Sequence, residues 1–198
     1  MAGPPSRAEL RRRLLARRLA LDEARRSAAS AAIRDRLAPL LVRLSGPIAF
    51  YVPIRGEPDL LPLAFTLHER GIPLALPVVV AKNAPLAFRR WQPGEPLVPG
   101  VWNIPVPPRE MPVRPQLILV PVVGFDRQGF RIGYGGGYYD RTLAALRPRP
   151  WTVGVGFAVS AVDTIHPQPH DQRLDLVITE EELVRCRADP PPWDHDRA

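Results

Sequence analysis

Between Arg131 and Leu143 the chain reads RIGYGGGYYDRTL. Gly133, Gly135, Gly136 and Gly137 fall within five residues, and Tyr138, Tyr139 and Asp140 follow at once. Glycines reach positive φ and let a ligand approach the main chain. A run of exposed N–H groups ahead of a helix is an anion nest, and the helix dipole reinforces it. Phosphate is the natural guest; a tight structural turn is the competing reading. The segment lacks the GKS or GKT of a P-loop and breaks the spacing of the dinucleotide fingerprint. Tyr138 and Tyr139 can stack on a heterocycle or simply pack. Asp140 suits Mg²⁺ beside bound phosphates, since that ion takes hard oxygen ligands. Its plainer reading is a first-turn acid favoured by the helix dipole.

Other residues carry weaker signals. Arg7 and Arg11 are four apart and share a helix face, so both can reach an anion. Arg12, Arg13, Arg17 and Arg18 stand beside them, and most of these read as solvated surface. Glu57 precedes PDLL and reads as a helix-start acid, and Val52, at a strand end, reads as core. Trp102 lies in a Pro-rich loop, an improbable place for a core tryptophan, and can face a ligand. Cys186 is the single cysteine and has no nearby base, so it reads as inert. No HExxH, paired-histidine or Ser/His/Asp pattern stands out.

The elements that must position these residues alternate. A helix is expected from Pro5 to about Ala20, with Leu10, Leu14 and Leu21 on one face, and a second from Asp22, a suitable N-cap, to about Leu44. Pro39 is placed to kink or shorten the second. PIAFYV, IPLALPVVV, PLAFRRW, LILVPVVGF, TVGVGF and LDLVIT read as strands. DLLPLAFTLHERG reads as a helix ending at Gly71, and another follows the glycine loop to about Leu146. Residues 92–115 read as loop, and DPPPWDHDRA as a disordered tail after one domain spanning residues 1–188. Alternating helices and apolar strands predict a three-layer α/β fold: a mostly parallel sheet with helices on both faces, Rossmann-like. Ligands of such sheets bind beyond the strands' carboxyl ends, where the glycine loop falls.

With these residues in view, the chain resembles the 5-formyltetrahydrofolate cyclo-ligase (5,10-methenyltetrahydrofolate synthetase) family. LILVPVVGFDRQGFRIGYGGGYYDR is similar to its signature, and RAELR, YVPIRGEPD, VWNIPVP and PQPHDQRLDLVIT match further segments in the expected order. The resemblance implies a NagB/RpiA/CoA-transferase-like architecture. It also implies an ATP- and Mg²⁺-dependent enzyme that converts 5-formyltetrahydrofolate, and its polyglutamates, to 5,10-methenyltetrahydrofolate with release of ADP and phosphate. It assigns ATP to Arg7, Arg11, Arg131, Ile132, Gly133, Tyr134, Gly135, Gly136, Gly137, Tyr138 and Tyr139. Substrate falls to Val52, Glu57, Trp102, Gly135 and Tyr138, and metal to Asp140 and Asp171, with Asp175 the alternate for the second ligand. His170, in the PHD segment, is a candidate to orient Asp171. Arginine at position 7 stands where lysine is common, Ile132 where leucine is, and Arg173 where proline is usual.

Length and charge bound the alternatives. The 198 residues suit one domain, and the longest apolar run falls short of the ~20 residues a membrane-spanning helix needs. The N-terminal stretch is basic but lacks a continuous apolar core, so no secretory signal is expected, and one cysteine points to the reducing cytosol. The net charge of +7, carried almost wholly by arginine, favours anionic partners. A basic nucleic-acid-binding protein is therefore the rival reading, though it leaves the glycine loop unexplained. A different nucleotide-binding enzyme on a similar sheet is the other. The expectation is a monomeric cytosolic enzyme with neither nucleic-acid nor membrane partners.

Overall fold

The computed structural model of the protein describes residues 5–188; the expected tail, with His195, lies outside the described residues. Helix α1 spans Arg7–Leu19, where the Ser6 hydroxyl caps the first turn by accepting from the Glu9 amide. Helix α2, Glu23–Leu41, is capped in the same way by Asp22, which accepts from the Arg25 amide. Pro39 lies inside α2, close enough to its end that the helix stops at Leu41 rather than Leu44. There follow β1 (Ile48–Ala49), α3 (Leu61–Glu69), β2 (Leu74–Val78) and β3 (Ala87–Trp91). Then come β4 (Val98–Pro99), β5 (Pro105–Val106), β6 (Leu117–Pro121), β7 (Gly124–Phe125) and β8 (Arg131–Ile132). The chain continues through α4 (Tyr138–Ala145), β9 (Trp151–Val155), β10 (Leu176–Ile178) and β11 (Leu183–Arg185).

Seven strands form the main sheet in the order β11-β10-β9-β6-β1-β2-β3. The five inner strands run parallel, and β11 and β3 close the edges antiparallel. Alternate residues point to opposite faces. Ile48, Leu74, Leu117 and Leu119 pack with Ile33, Leu37 and Leu41 of α2 and Leu63 and Leu67 of α3. Ala49, Ala75, Ile118 and Val120 pack with Leu143 of α4 on the other face. Both faces are covered, as the unbroken apolar strands require, and the three-layer α/β expectation holds.

The structure corrects several local expectations. LILVPVVGF is two strands rather than one, because after Pro121 the chain leaves the sheet and β7 pairs antiparallel with β8. Arg131 therefore sits on β8 and does not open the loop. Residues 92–115 hold a small β4–β5 hairpin and a 3-10 turn at Val101–Asn103. Strand β11 was not anticipated at all; its LVR sequence is short, and its pairing with β10 is a tertiary effect.

Topology locates the crevice. From β1 the chain moves through α3 to β2 on one side; from β6 it moves through α4 to β9 on the other. The switch point of the sheet thus lies between β1 and β6, which are hydrogen-bonded neighbours. The segment carrying Val52 and Glu57 leaves the carboxyl end of β1, and the segment leading to the glycine loop leaves that of β6. Helix α1 packs beside this end, with Leu10 and Leu14 buried against Val123, Ile132 and Ile165.

Candidate active site

The glycine loop enters α4 through Gly137, whose φ of +65° makes it a left-handed N-cap. A residue with Cβ would be strained there, and its Cβ would lie 2.8 Å from the Arg141 guanidinium. Among the described residues, none of the amide N–H groups of residues 133–140 donates to a protein acceptor. Residues 134–136 are exposed, so these amides face outward; helix starts leave such donors, and an anion nest gathers them. Arg11 lines one wall: its Nε donates to the Gly133 carbonyl at 2.7 Å. A Cβ on Gly135, where φ is +97°, would come within 3.3 Å of Arg11 Cζ. Burial, and then the neighbouring Arg7 charge, press the Arg11 pKa down.

The two expected metal carboxylates are held by different partners. Asp140 Oδ1 accepts from Arg131 Nη2 at 2.9 Å and from the Gln172 amide at 3.0 Å. Arg131 Nη1 donates to the Gln172 carbonyl at 2.6 Å. Asp171 is clasped by Arg7 through two bonds, of 2.5 and 3.1 Å, and accepts from the Gln168 amide at 2.6 Å. Burial pushes the Asp171 pKa up, but the Arg7 and Gln168 hydrogen bonds outweigh it and hold the carboxyl below its ordinary range. His170 Nε2 stays 4.0 Å from Asp171 Oδ1, too far to orient it by a hydrogen bond. Asp175, the alternate ligand, is elsewhere engaged. It is buried, and its carboxylate binds Arg149, Arg187 and both the amide and hydroxyl of Thr152.

Glu57 is not a helix-start acid. It is buried in the turn after β1, where Oε2 accepts from the Ile54 amide at 3.0 Å and Oε1 from the Tyr134 hydroxyl at 2.9 Å. That second bond ties the β1 segment to the glycine loop. Burial raises the Glu57 pKa, opposed by the Ile54 amide, Tyr134 and Arg18. Tyr134 is pushed up as well, by burial and then by the Glu57 charge. Val52 is half-buried beside the core. Tyr139 packs inward with the face beneath α4.

Trp102 is 67% exposed and takes a left-handed φ of 55°, a strained setting for a tryptophan. Its ring meets Tyr138 edge-on at 5.7 Å. The two aromatics, Gly136, Val101 and the β2–β3 connection with Lys82 border a cleft of about 390 Å³, wide enough for a heterocycle. The Tyr138 ring is also covered by the Arg141 guanidinium, 4.9 Å from its centroid.

Sequence reasoning missed Arg18, which reads as one more surface arginine in an arginine-rich helix. It is 0% exposed and reaches Val122 O, Tyr134 Oη and Glu57. A signal was available. Positions 7, 11, 14 and 18 fall on one stripe, so the stripe of buried Leu14 carries Arg18 with it.

Comparisons with known proteins settle the family. A sequence model described as the 5-formyltetrahydrofolate cyclo-ligase family matches residues 4–180. The chain belongs to that family. A relative from Mycolicibacterium smegmatis named 5-formyltetrahydrofolate cyclo-ligase is 34% identical over 186 residues, covering 89% of this chain and 94% of its own. The solved 5,10-methenyltetrahydrofolate synthetase of Aquifex aeolicus superposes with a TM-score of 0.80 at 31% identity, over 96% of this chain and 98% of that one. That of Mycoplasma pneumoniae gives 0.71 at 25% identity, over 89% and 99%. Membership makes this cyclo-ligase a ligase of folate one-carbon metabolism, acting on 5-formyltetrahydrofolate with ATP as co-substrate. The nucleic-acid-binding alternative gains no support from these matches. Among the described residues no helix is long and apolar enough to cross a membrane.

Proposed function

We propose that the glycine loop of this cyclo-ligase grips the triphosphate of ATP while Glu57 and Trp102 hold 5-formyltetrahydrofolate across the switch-point crevice. The formyl oxygen then attacks the γ-phosphorus, and ADP leaves. The formyl carbon, a poor electrophile before, now carries phosphate as a leaving group. The folate N10 attacks that carbon, loses its proton, and expels phosphate to close the methenyl ring. The protein's part is positioning and charge neutralisation.

The observation that carries this reading is the set of uncommitted amides at residues 133–140, walled by Arg11. Residues Ile132 to Tyr139 are the proposed cradle, with Arg7, Arg11 and Arg131 supplying charge to the phosphate oxygens. Arg7 and Arg131 now neutralise Asp171 and Asp140, so incoming phosphates compete for the same guanidinium donors. Gly135 and Tyr138 are assigned to both ligands by the family resemblance; Gly135 lies against Arg11, and Tyr138 lines the Trp102 cleft. Glu57, as a carboxylate, can accept two N–H bonds from the pterin edge, and Val52 lines the floor beside it.

Magnesium is assigned to Asp140 and Asp171, and the donor set fits it in one way. Asp140 Oδ2 has no hydrogen-bond partner among the described residues, while both oxygens of Asp171 are engaged. No group of three His, Cys, Asp or Glu converges as a metal cage among the described residues. The ion's other ligands are therefore phosphate oxygens and waters, its usual company beside one or two carboxylates. Bound there, it would neutralise charge on the terminal phosphates. The full proposal is a monomeric cytosolic enzyme that also takes polyglutamylated substrate.

One assay tests the reading: ATP-dependent appearance of the methenyl chromophore from 5-formyltetrahydrofolate. Appearance that requires both ATP and Mg²⁺ supports it. ATP hydrolysis or binding without the chromophore would point to a different nucleotide-binding enzyme.

A further inference from the structure

Three arginines of α1 face the site, and two have evident anion duties. The third, Arg18, has no anion assigned to it. Its Nη2 donates to the Val122 carbonyl at 2.5 Å, where the chain leaves β6. Its Nη1 donates to the Tyr134 hydroxyl at 3.1 Å and stands 3.9 Å from Glu57 Oε1. Its Nε is buried with no hydrogen-bond partner. A fully buried guanidinium with an orphaned donor costs stability unless its charge is answered. The charge that answers it is Glu57, itself buried.

The arrangement is a relay. Arg18 fixes the Tyr134 hydroxyl from one side, so that the phenol donates to Glu57 and not the reverse. Arg55, with its guanidinium 5.5 Å from the Tyr134 centroid, covers the ring. The Ile54 amide fixes the other carboxylate oxygen.

We propose that Arg18 is a positioning residue that holds the Glu57 carboxylate aimed at the folate pocket and fixes Tyr134 between that pocket and the glycine loop. It touches neither substrate nor phosphate. This rests on the reading of Glu57 as the folate-recognising carboxylate. Without Arg18, Tyr134 and the Glu57 carboxylate it holds lose their fixed orientation, and an acceptor for pterin N–H groups is misplaced. ATP is gripped by the main-chain amides of the loop, whereas Arg18 reaches that loop only through the Tyr134 side-chain hydroxyl, so affinity for ATP falls less.

A double-mutant cycle on steady-state kinetics tests it, with Arg18→Met, Glu57→Gln and the pair. Glu57→Gln is expected to raise the folate KM about tenfold, the worth of a hydrogen bond to a charged group, and to leave the ATP KM within about twofold. Arg18→Met is expected to do the same alone, yet to add less than about twofold in the Glu57→Gln background. Independent, multiplying effects would overturn the role of Arg18, as would an ATP KM that rises as much as the folate KM. An unchanged folate KM in Glu57→Gln would overturn the Glu57 reading itself, whatever Arg18 does. Arg18→Lys guards against loss of fold: it keeps the charge but not the fork. Thermal melting should show it folded, with a folate KM between wild type and Arg18→Met, and a wild-type KM there would contradict the proposal.

Discussion

Two carboxylate–arginine clusters, one at Asp175 and one around the glycine loop, behave differently. At Asp175 every donor and acceptor is spent inside the protein: two arginines, the Thr152 amide and the Thr152 hydroxyl converge on one buried carboxylate. Around the glycine loop the accounts stay open. Asp140 keeps one oxygen free, the loop amides donate to nothing, and Arg7 and Arg131 hold partners that phosphate can displace. A saturated cluster fixes the chain, and an unsaturated one waits for a ligand. On the proposed reading that ligand is ATP, the co-substrate of the family.

Substitutions at matched positions should separate the two clusters. Asp140→Asn is expected to cut turnover about a thousandfold, the scale of losing one group that stabilises developing charge. Its melting temperature should fall only slightly, because Arg131 keeps the Gln172 carbonyl. Full activity across a Mg²⁺ series would remove Asp140 from the metal role. Asp175→Ala should show the reverse: a loss of about 3 kcal/mol in denaturant unfolding, from breaking a buried ion pair, with kcat of the folded fraction retained. If kcat collapsed while stability held, Asp175 would belong to the site after all.

Gly135→Ala probes the loop alone. Its φ of +97° strains a residue with Cβ, and the added methyl would press on Arg11. The ATP KM should rise about tenfold, with the folate KM less affected; strain of roughly 1–3 kcal/mol sets that scale. The smallest effect concerns acid. Asp171 has its folded pKa held down, chiefly by Arg7 against burial. A depressed carboxyl stabilises the fold above its unfolded pKa, and that contribution fades as pH falls through the folded value. Thermal melts below about pH 4 should therefore fall more steeply in wild type than in Asp171→Asn. Parallel acid limbs would show that the Arg7–Asp171 pair contributes nothing to stability.

Much of this was legible in the chain itself. The apolar strands declared the sheet, because continuous burial demands such a composition, and the glycine segment is the feature on which the proposed site rests. What stayed hidden depended on tertiary partners. Arg18 and Arg17 are adjacent and chemically identical, yet only one is turned inward, by the stripe that buries Leu10 and Leu14. Glu57 sits where helix-start acids sit, and only the crevice at the β1–β6 switch point shows it buried against Tyr134. Asp171 and Asp175 look alike from sequence until Thr152 and Arg149 arrive from β9 and the segment before it. The β7–β8 pairing was masked because Val122 and Val123 prolong the apolar pattern of β6 after the chain has left the sheet.

The central claim is that free amides of the glycine loop receive the triphosphate. An ATP titration of isotope-labelled protein, followed through the backbone amide resonances, tests it most directly. The account predicts that the amides of Gly135, Gly136, Gly137 and Tyr138 move and saturate together, while the Thr152 amide bound to Asp175 stays still. Loop amides unmoved at saturating ATP and magnesium would contradict it.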